Sequence, residues 1–441
     1  MSLRPLPLLA ALLLAACSVI PADIARELLP PVHSTYKTAE FAYHQLIERH
    51  VDKPGSKQLL SGAFDSVDEL LKKAGDAPVA RPQLTGSVES DFARFAGALD
   101  QSLTKDPKLD ATLLERSATD GMAKSLKECH TYYLTPDRAK GFNQGPVEYE
   151  GIGAQISPGK PNELPEISNV FPNTPAEKAG IRAGDRIKTV NGLDVQGFTP
   201  EEVANKIKGP KGTTVNIVIV RGANEIPLAL VRAAITPPRV QSRSLESGKI
   251  GYVSIAQLNG DVTRSTSDEL KRLVDAGASG AILDLRNDPG GDLSAAVDIG
   301  SIFIKSGVLV YQVGRDGNRQ PVKTNDKWFW GTPHPLVVLV NERSASGAEI
   351  IAAGVQANGA GAIIGTQTAG CVGIGQPREM PDGGLLLITL ARMQDAKTGA
   401  ELNGDGRGVV PDQSVAQDPN ESGDAQLDAA VAYLRTKIAG G

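Results

Sequence analysis

Three short segments, far apart in the chain, carry residue types that together could move an acyl group. They are Cys129-His130-Thr131, then Leu283-Asp284-Leu285-Arg286-Asn287-Asp288-Pro289-Gly290-Gly291, and Ser344-Ala345-Ser346-Gly347-Ala348-Glu349. They offer a histidine, a pair of glycines able to expose backbone amides, and a serine where a helix should begin. A serine hydroxyl becomes a nucleophile when a base takes its proton, and the oxyanion it creates needs amide donors. Ser346 follows the apolar run Leu336-Val337-Val338-Leu339-Val340 by one short turn. Serine is also a favoured helix cap, so its position alone does not decide. The Gly347 amide stands at the positive end of the helix dipole and adds a donor. Gly290-Gly291, after Asn287-Asp288-Pro289, form a second tight turn at a strand end, bare of Cβ atoms and open to a substrate carbonyl. A simple turn before a helix would use the same residues.

The elements that must position these groups fall into three textures. From about Thr35 to Lys140, apolar residues three and four apart predict helices, as in Ala39 to Ile47 and Phe64 to Leu71, with a polar break at Gly75 to Thr85. A further helix is expected near Leu113 to Lys127, and Pro136 bars its continuation. From Val147 to Ile235 short strands alternate with glycine turns and two short helices. After Pro237-Pro238, strands and helices alternate: strands at Ile250–Ile255, Ala281–Leu285, Val308–Val313, Leu336–Val340 and Ala362–Gly365, with helices near Ser265–Ala276, Leu293–Ile304 and Ala348–Ala357. That alternation predicts an α/β core. Lys323 to Pro335, with both tryptophans and His334, reads as a flap or packed loop.

The chain has 441 residues, three cysteines and a net charge of −5. Its length supports two or three domains with real cores, and with no basic block nothing points to nucleic acid. At the amino end, Arg4 precedes an apolar run from Leu6 to Ala16, too short to span a bilayer comfortably, so a signal peptide is expected. Two cysteines besides Cys17 are too few for a disulfide scaffold, though an oxidising compartment would let Cys129 and Cys371 pair.

Three resemblances sharpen these expectations. Leu14-Ala15-Ala16-Cys17 resembles the lipobox of bacterial lipoproteins, which implies acylation of Cys17, export and a lipid anchor to a bacterial membrane. Residues 147–235 resemble a PDZ domain, which implies that the loop Gly151-Ile152-Gly153-Ala154 holds a polypeptide's carboxyl end and adds it as a strand. Leu283 to Gly291, Ser344 to Ile350, Gly365 to Gly370 and Gly408-Val409-Val410-Pro411-Asp412 resemble the carboxyl-terminal processing protease family, with its crotonase-like catalytic core. This implies a serine endopeptidase without cofactor or metal, acting on protein tails or unfolded chains. Ser346 would be the nucleophile, with Gly290 or Gly291 and the amide of Gly347 as oxyanion donors. The implied layout is 1–17 leader, 35–146 helical segment, 147–235 PDZ domain and 240–437 protease core.

One departure matters. Most of the family uses a lysine after the segment matched by Thr368-Ala369-Gly370, whereas Cys371 stands there and Val372 to Gln376 contains no lysine. The related tricorn-type proteases use a histidine in a segment where His130 sits, and an acid where Asp405 sits. That similarity implies a Ser346–His130–Asp405 triad, with Cys129 and Cys371 close enough to bond. The alternative is an inactive pseudoprotease that binds peptides through its PDZ domain.

Overall fold

The computed structural model describes residues 35–141, 148–157, 164–171, 173–182, 184–329, 335–404, 406–417 and 423–440. Cys17 and the leader, His334 and Asp405 lie outside the described residues. No described helix is long and apolar enough to cross a membrane.

Among the described residues four helices come first: α1 Lys37–Arg49, α2 Ser56–Ala74, α3 Val88–Lys105 and α4 Ala111–Lys124. α2 stops because Gly75 turns left-handed, φ 85°, and folds its amide back onto Leu71 and Lys72. α4 starts at Asp110, whose carboxylate accepts from the amides of Thr112 and Leu113. α2 and α4 cross at Gly62 and Gly121. A Cβ on either glycine would lie 2.5 Å or 2.2 Å from the other's carbonyl oxygen, so only glycine permits this approach. α3 lies within the stretch expected to be helical but was not singled out as an element.

The helices do not close a core of their own. Strand β1 Tyr132–Leu134 leaves them and pairs with a strand more than 240 residues away, where Met380, Leu386 and Ile388 complete the helical cluster. The next unit is an antiparallel sheet of β2 Ala154–Ser157, β3 Glu166–Val170, β4 Arg186–Val190, β5 Thr214–Arg221 and β6 Asn224–Val231, in spatial order 2-3-4-5-6. Helix α5 Pro200–Ile207 covers it, started by a capping box between Thr199 and Glu202.

Beyond residue 240 the chain builds two sheets. Its elements are β7 Val240–Leu245, β8 Ile250–Ile255, α6 Val262–Asp275, β9 Gly280–Asp284, α7 Leu293–Phe303, β10 Val308–Gly314, β11 Arg319–Lys323 and β12 Leu336–Val340. There follow α8 Gly347–Ala357, β13 Ala362–Gly365, β14 Gly373–Glu379, β15 Leu385–Asp395, β16 Gln413–Ser414 and α9 Ala425–Ala439. One sheet has the order β7-β8-β9-β12-β13-β16 and is parallel from β8 onward. The unbroken apolar run of β12 has a direct cause. Leu336, Val338 and Val340 pack on the side of α6, α7 and α8, while Val337 and Leu339 pack against Ala430 and Leu434 of α9. The second sheet has the order β1-β15-β10-β11, with β14 beside β15.

Candidate active site

β9 and β12 are parallel neighbours, so their carboxyl ends deliver two of the chemistry-bearing loops side by side. In open α/β sheets that edge is where ligands bind. The loops are riveted together. Ser344 Oγ donates to the Leu285 carbonyl at 2.8 Å, and Asn341 Nδ2 donates to Asn287 Oδ1 at 3.0 Å. The Asn287 amide reaches Asn341 Oδ1 at 2.9 Å, and the Ala345 amide reaches the Asp288 carbonyl at 2.9 Å. Ser344, quoted in the sequence only as a neighbour of Ser346, is thus the fastener of the loop.

Ser346 is held at φ 53° and ψ −116°, a backbone state that costs a non-glycine residue on the order of 1–3 kcal/mol. Its amide donates to the Cys371 carbonyl at 2.8 Å and to Glu349 Oε2 at 3.0 Å. Glu349 is wholly buried and accepts from the Thr368 hydroxyl at 2.5 Å, the Gly370 amide at 2.9 Å and the Cys371 amide at 2.9 Å. Burial pushes its carboxyl above the usual range against these donors. One buried carboxylate therefore fixes both the serine and the segment after it. Its spacing from Ser346 was legible as a cap, but its grip on residues 368–371 was not. Glu349→Ala should strand several buried donors at about 1–3 kcal/mol each, short of full additivity, and lower stability by on the order of 3–5 kcal/mol. Chemical denaturation should show this, with a smaller loss for Glu349→Gln, which keeps one acceptor oxygen.

The two glycines of the β9 loop divide their work. Gly290, φ 88°, lies against the backbone of Ser346: a Cβ there would meet Ser346 Cβ and the Gly347 nitrogen, each at 2.7 Å. Its amide donates to Asp288 Oδ1 at 2.8 Å, so the expectation that Gly290 offers a free donor is corrected. The amides of Gly291 and Gly347 have no partner among the described residues. They lie close together, the Gly291 nitrogen 3.7 Å from where a Cβ on Gly347 would sit. Asp288 is fully buried, with Oδ2 unpartnered, and burial pushes its carboxyl up to about 7 against the pull of the Gly290 amide.

The histidine arrives from the other sheet. β1 lies antiparallel to β15, with Tyr132 opposite Leu387, and β14 pairs with the same strand, so His130 is set beside Gly373 and Gly375. Cys129 and Cys371 join at an S–S distance of 2.05 Å with Cα atoms 5.8 Å apart. His130 Nδ1 lies 3.3 Å from the Cys129 sulfur and 3.5 Å from the Cys371 sulfur. Cys371 is thus the common neighbour, its carbonyl on the Ser346 amide and its sulfur on the His130 ring. Burial pushes the His130 imidazole below its ordinary value, with the charge of Glu128 opposing.

Glu128 positions the histidine's backbone, accepting from the His130 amide at 2.8 Å and from the Thr389 hydroxyl at 2.7 Å. His50 Nε2, from the end of α1, lies 3.6 Å from its Oε1. Burial would raise the Glu128 carboxyl, but the nearby His50 ring and Thr131, with the hydrogen bonds from the His130 amide and Thr389, outweigh it and hold it at about 2. Neither Glu128 nor His50 was singled out from sequence. Near Asp405, the described neighbour that reaches the site is Asn403, buried, with Oδ1 3.9 Å from the Cys129 sulfur. The Gly404 amide ties this loop to the Gly370 carbonyl at 2.8 Å. Gly408 allows the last motif to close on the site, since a Cβ there would lie 2.9 Å from Glu349 Oε1.

On the antiparallel unit, Gly151, Ile152, Gly153 and Ala154 line a groove of about 490 Å³ with Ile156 and Ile207. β2 is the edge strand of the described sheet, and α5 stands across from it.

Sequence comparison places these features. The model of peptidase family S41 matches residues 249–415, and the PDZ domain model matches residues 144–220. A carboxyl-terminal-processing protease of Synechocystis sp. is 31% identical over 335 residues, spanning 73% of this chain and 77% of its own. A CtpA-like serine protease of Staphylococcus aureus (strain COL) is 31% identical over 310 residues, 70% of this chain and 61% of its own, so the chain spans about three fifths of that relative's length. A solved structure from Bacteroides fragilis, assigned to the S41 proteases, shares the fold with a TM-score of 0.53 at 16% identity, covering 92% of this chain and 99% of its own.

Proposed function

Because the chain belongs to peptidase family S41, we propose that it is a serine endopeptidase of the carboxyl-terminal processing type, working through Ser346 and His130 rather than a lysine. The observation that carries this reading is a strained Ser346 between the open amides of Gly291 and Gly347, linked through Cys371 to a half-buried histidine. A protein that only bound peptides would have no physical need for that strain.

In the mechanism, Ser346 Oγ attacks the scissile carbonyl as its proton passes to His130. The Gly291 and Gly347 amides hold the oxyanion. His130 then returns the proton to the leaving amine, and a water repeats the sequence on the acyl-enzyme. Asp405 is assigned to orient His130. The substrate is an unfolded chain or protein tail, whose carboxyl end adds to β2 with its last side chain in the groove by Ile152 and Ile207. Acylation of Cys17 would tether the enzyme in a bacterial envelope, and mass spectrometry of the mature amino terminus tests this.

The base assignment predicts a pH profile. Only neutral imidazole accepts the serine proton, so kcat/KM should rise with pH through the His130 pKa. Burial places that midpoint below the ordinary 6.5. Peptide hydrolysis measured from about pH 4 to 8 checks it; a flat profile there would exclude a histidine base.

A further inference from the structure

We propose that, once the Cys129–Cys371 bond is reduced, Cys129, His130 and Cys371 form a binding site for a thiophilic divalent metal ion, with zinc the natural occupant. The three ligand atoms, two sulfurs and Nδ1, already lie within 4.8 Å of one another. A tetrahedral zinc with Zn–S near ~2.3 Å and Zn–N near ~2.0 Å sets nitrogen and sulfur about 3.5 Å apart. The His130 Nδ1 contacts of 3.3 Å and 3.5 Å are at that spacing before any ion enters. Opening the disulfide needs only the sulfurs to separate from bonding to coordination distance, on backbones 5.8 Å apart. Thiolate and imidazole donors select zinc over magnesium or calcium. Cys129 is exposed, so a reductant can reach the bond.

The step balances. A dithiol reductant gives the S–S bond two electrons and two protons and leaves as its own disulfide. The metal ion then displaces both thiol protons, while neutral His130 gives its Nδ1 lone pair. Three protein ligands leave the fourth position of the ion to water.

The consequence for activity rests on the reading of His130 as the base. With Nδ1 on the ion, the neutral ring keeps its remaining proton on Nε2 and has no lone pair left for Ser346. The reduced enzyme, already slowed by its freed loop, would lose its remaining activity to zinc and regain that remainder on chelation; only oxidation would restore full turnover.

The test uses the full chain in detergent, oxidised or reduced with a phosphine, titrated anaerobically with cobalt(II) alone as a spectroscopic stand-in for zinc. The expected result is thiolate-to-cobalt charge-transfer absorption and tetrahedral visible bands in the reduced protein, absent from the oxidised one. Loss of an outer-shell partner costs metal sites about 10- to 100-fold, so His130→Ala, which keeps both thiols, should weaken binding at least about a hundredfold. Cys129→Ser should remove the charge-transfer band, with circular dichroism reporting the fold. The proposal is overturned if reduction brings no such absorption, or if the bands survive Cys129→Ser or His130→Ala unchanged. Peptidase activity is read in parallel with zinc. If cobalt binds as expected while zinc leaves hydrolysis untouched, the metal site stands and the assignment of His130 as base falls.

Discussion

Replacing Ser346 with alanine should lower kcat/KM for an unstructured peptide with a free carboxyl end by a thousandfold or more, about 4 kcal/mol of transition-state stabilisation. The alanine keeps Cβ and the amide bonds to Cys371 and Glu349, so the fold should survive. It removes the oxygen that forms the acyl bond, and no residue of the loop can replace it. His130→Ala should cost a similar factor, and the double variant little more than either single one, because the serine is reactive only while its proton has somewhere to go. Peptide binding to the PDZ groove should be unchanged in all three. That separates loss of chemistry from loss of substrate, and fluorescence anisotropy with a labelled tail peptide measures it. If Ser346→Ala retained activity the proposed mechanism would fail outright. If His130→Ala alone did, the serine would stand and the base would have to come from elsewhere.

The sequence was most legible where one local pattern carried a whole element. Five consecutive apolar residues bounded β12 correctly, because that strand is buried on both faces and needs no alternation. Ser346 was legible for the same local reason, a serine and a glycine just past such a strand. Of the second sheet only β10 was legible, as the apolar run from Val308. β14 reads Gly-Ile-Gly-Gln-Pro-Arg-Glu, whose glycines and proline argue against a strand; it exists because β15 supplies its partner edge. Yet this sheet carries His130 to Cys371, whose carbonyl holds the Ser346 amide. The work of Glu128, Glu349 and Asn403 was hidden similarly, since their partners lie up to 274 residues away in sequence. The division between Gly290 and Gly291 needed the one hydrogen bond from Asp288 that removes Gly290 as a donor. Asp412, quoted as part of a terminal motif, is a staple: it accepts from the Ile363 amide at 2.8 Å and from Gln356 Nε2 at 2.9 Å, so that segment is held by β13 and α8 rather than by substrate.

Breaking the Cys129–Cys371 bond should produce the largest change in stability. It closes a loop with a sequence separation of 242, so the chain-entropy model puts its contribution at on the order of 5 kcal/mol, an upper figure because unfolded chains retain structure. Its position also concentrates the effect. Residues 131–134 are also held by the Thr131–Thr389 hydrogen bonds, the Tyr133 hydroxyl on Asp382 and the three pairs of β1 with β15, so reduction frees chiefly the Cys129–His130 corner, left with the Glu128 contacts. The oxidised protein should show no Cys129 or Cys371 thiol when unfolded without reductant. Cys129→Ser and Cys371→Ser should each lower the thermal midpoint by roughly 10 °C, given about 2–4 °C per kcal/mol for a unit of this size. The same variants should lose turnover more than peptide affinity, because the groove lies on a different sheet from the histidine loop. Two titratable thiols in the unreduced protein, with an unchanged thermal midpoint in both serine variants, would mean that the helices and β1 alone hold His130 in place.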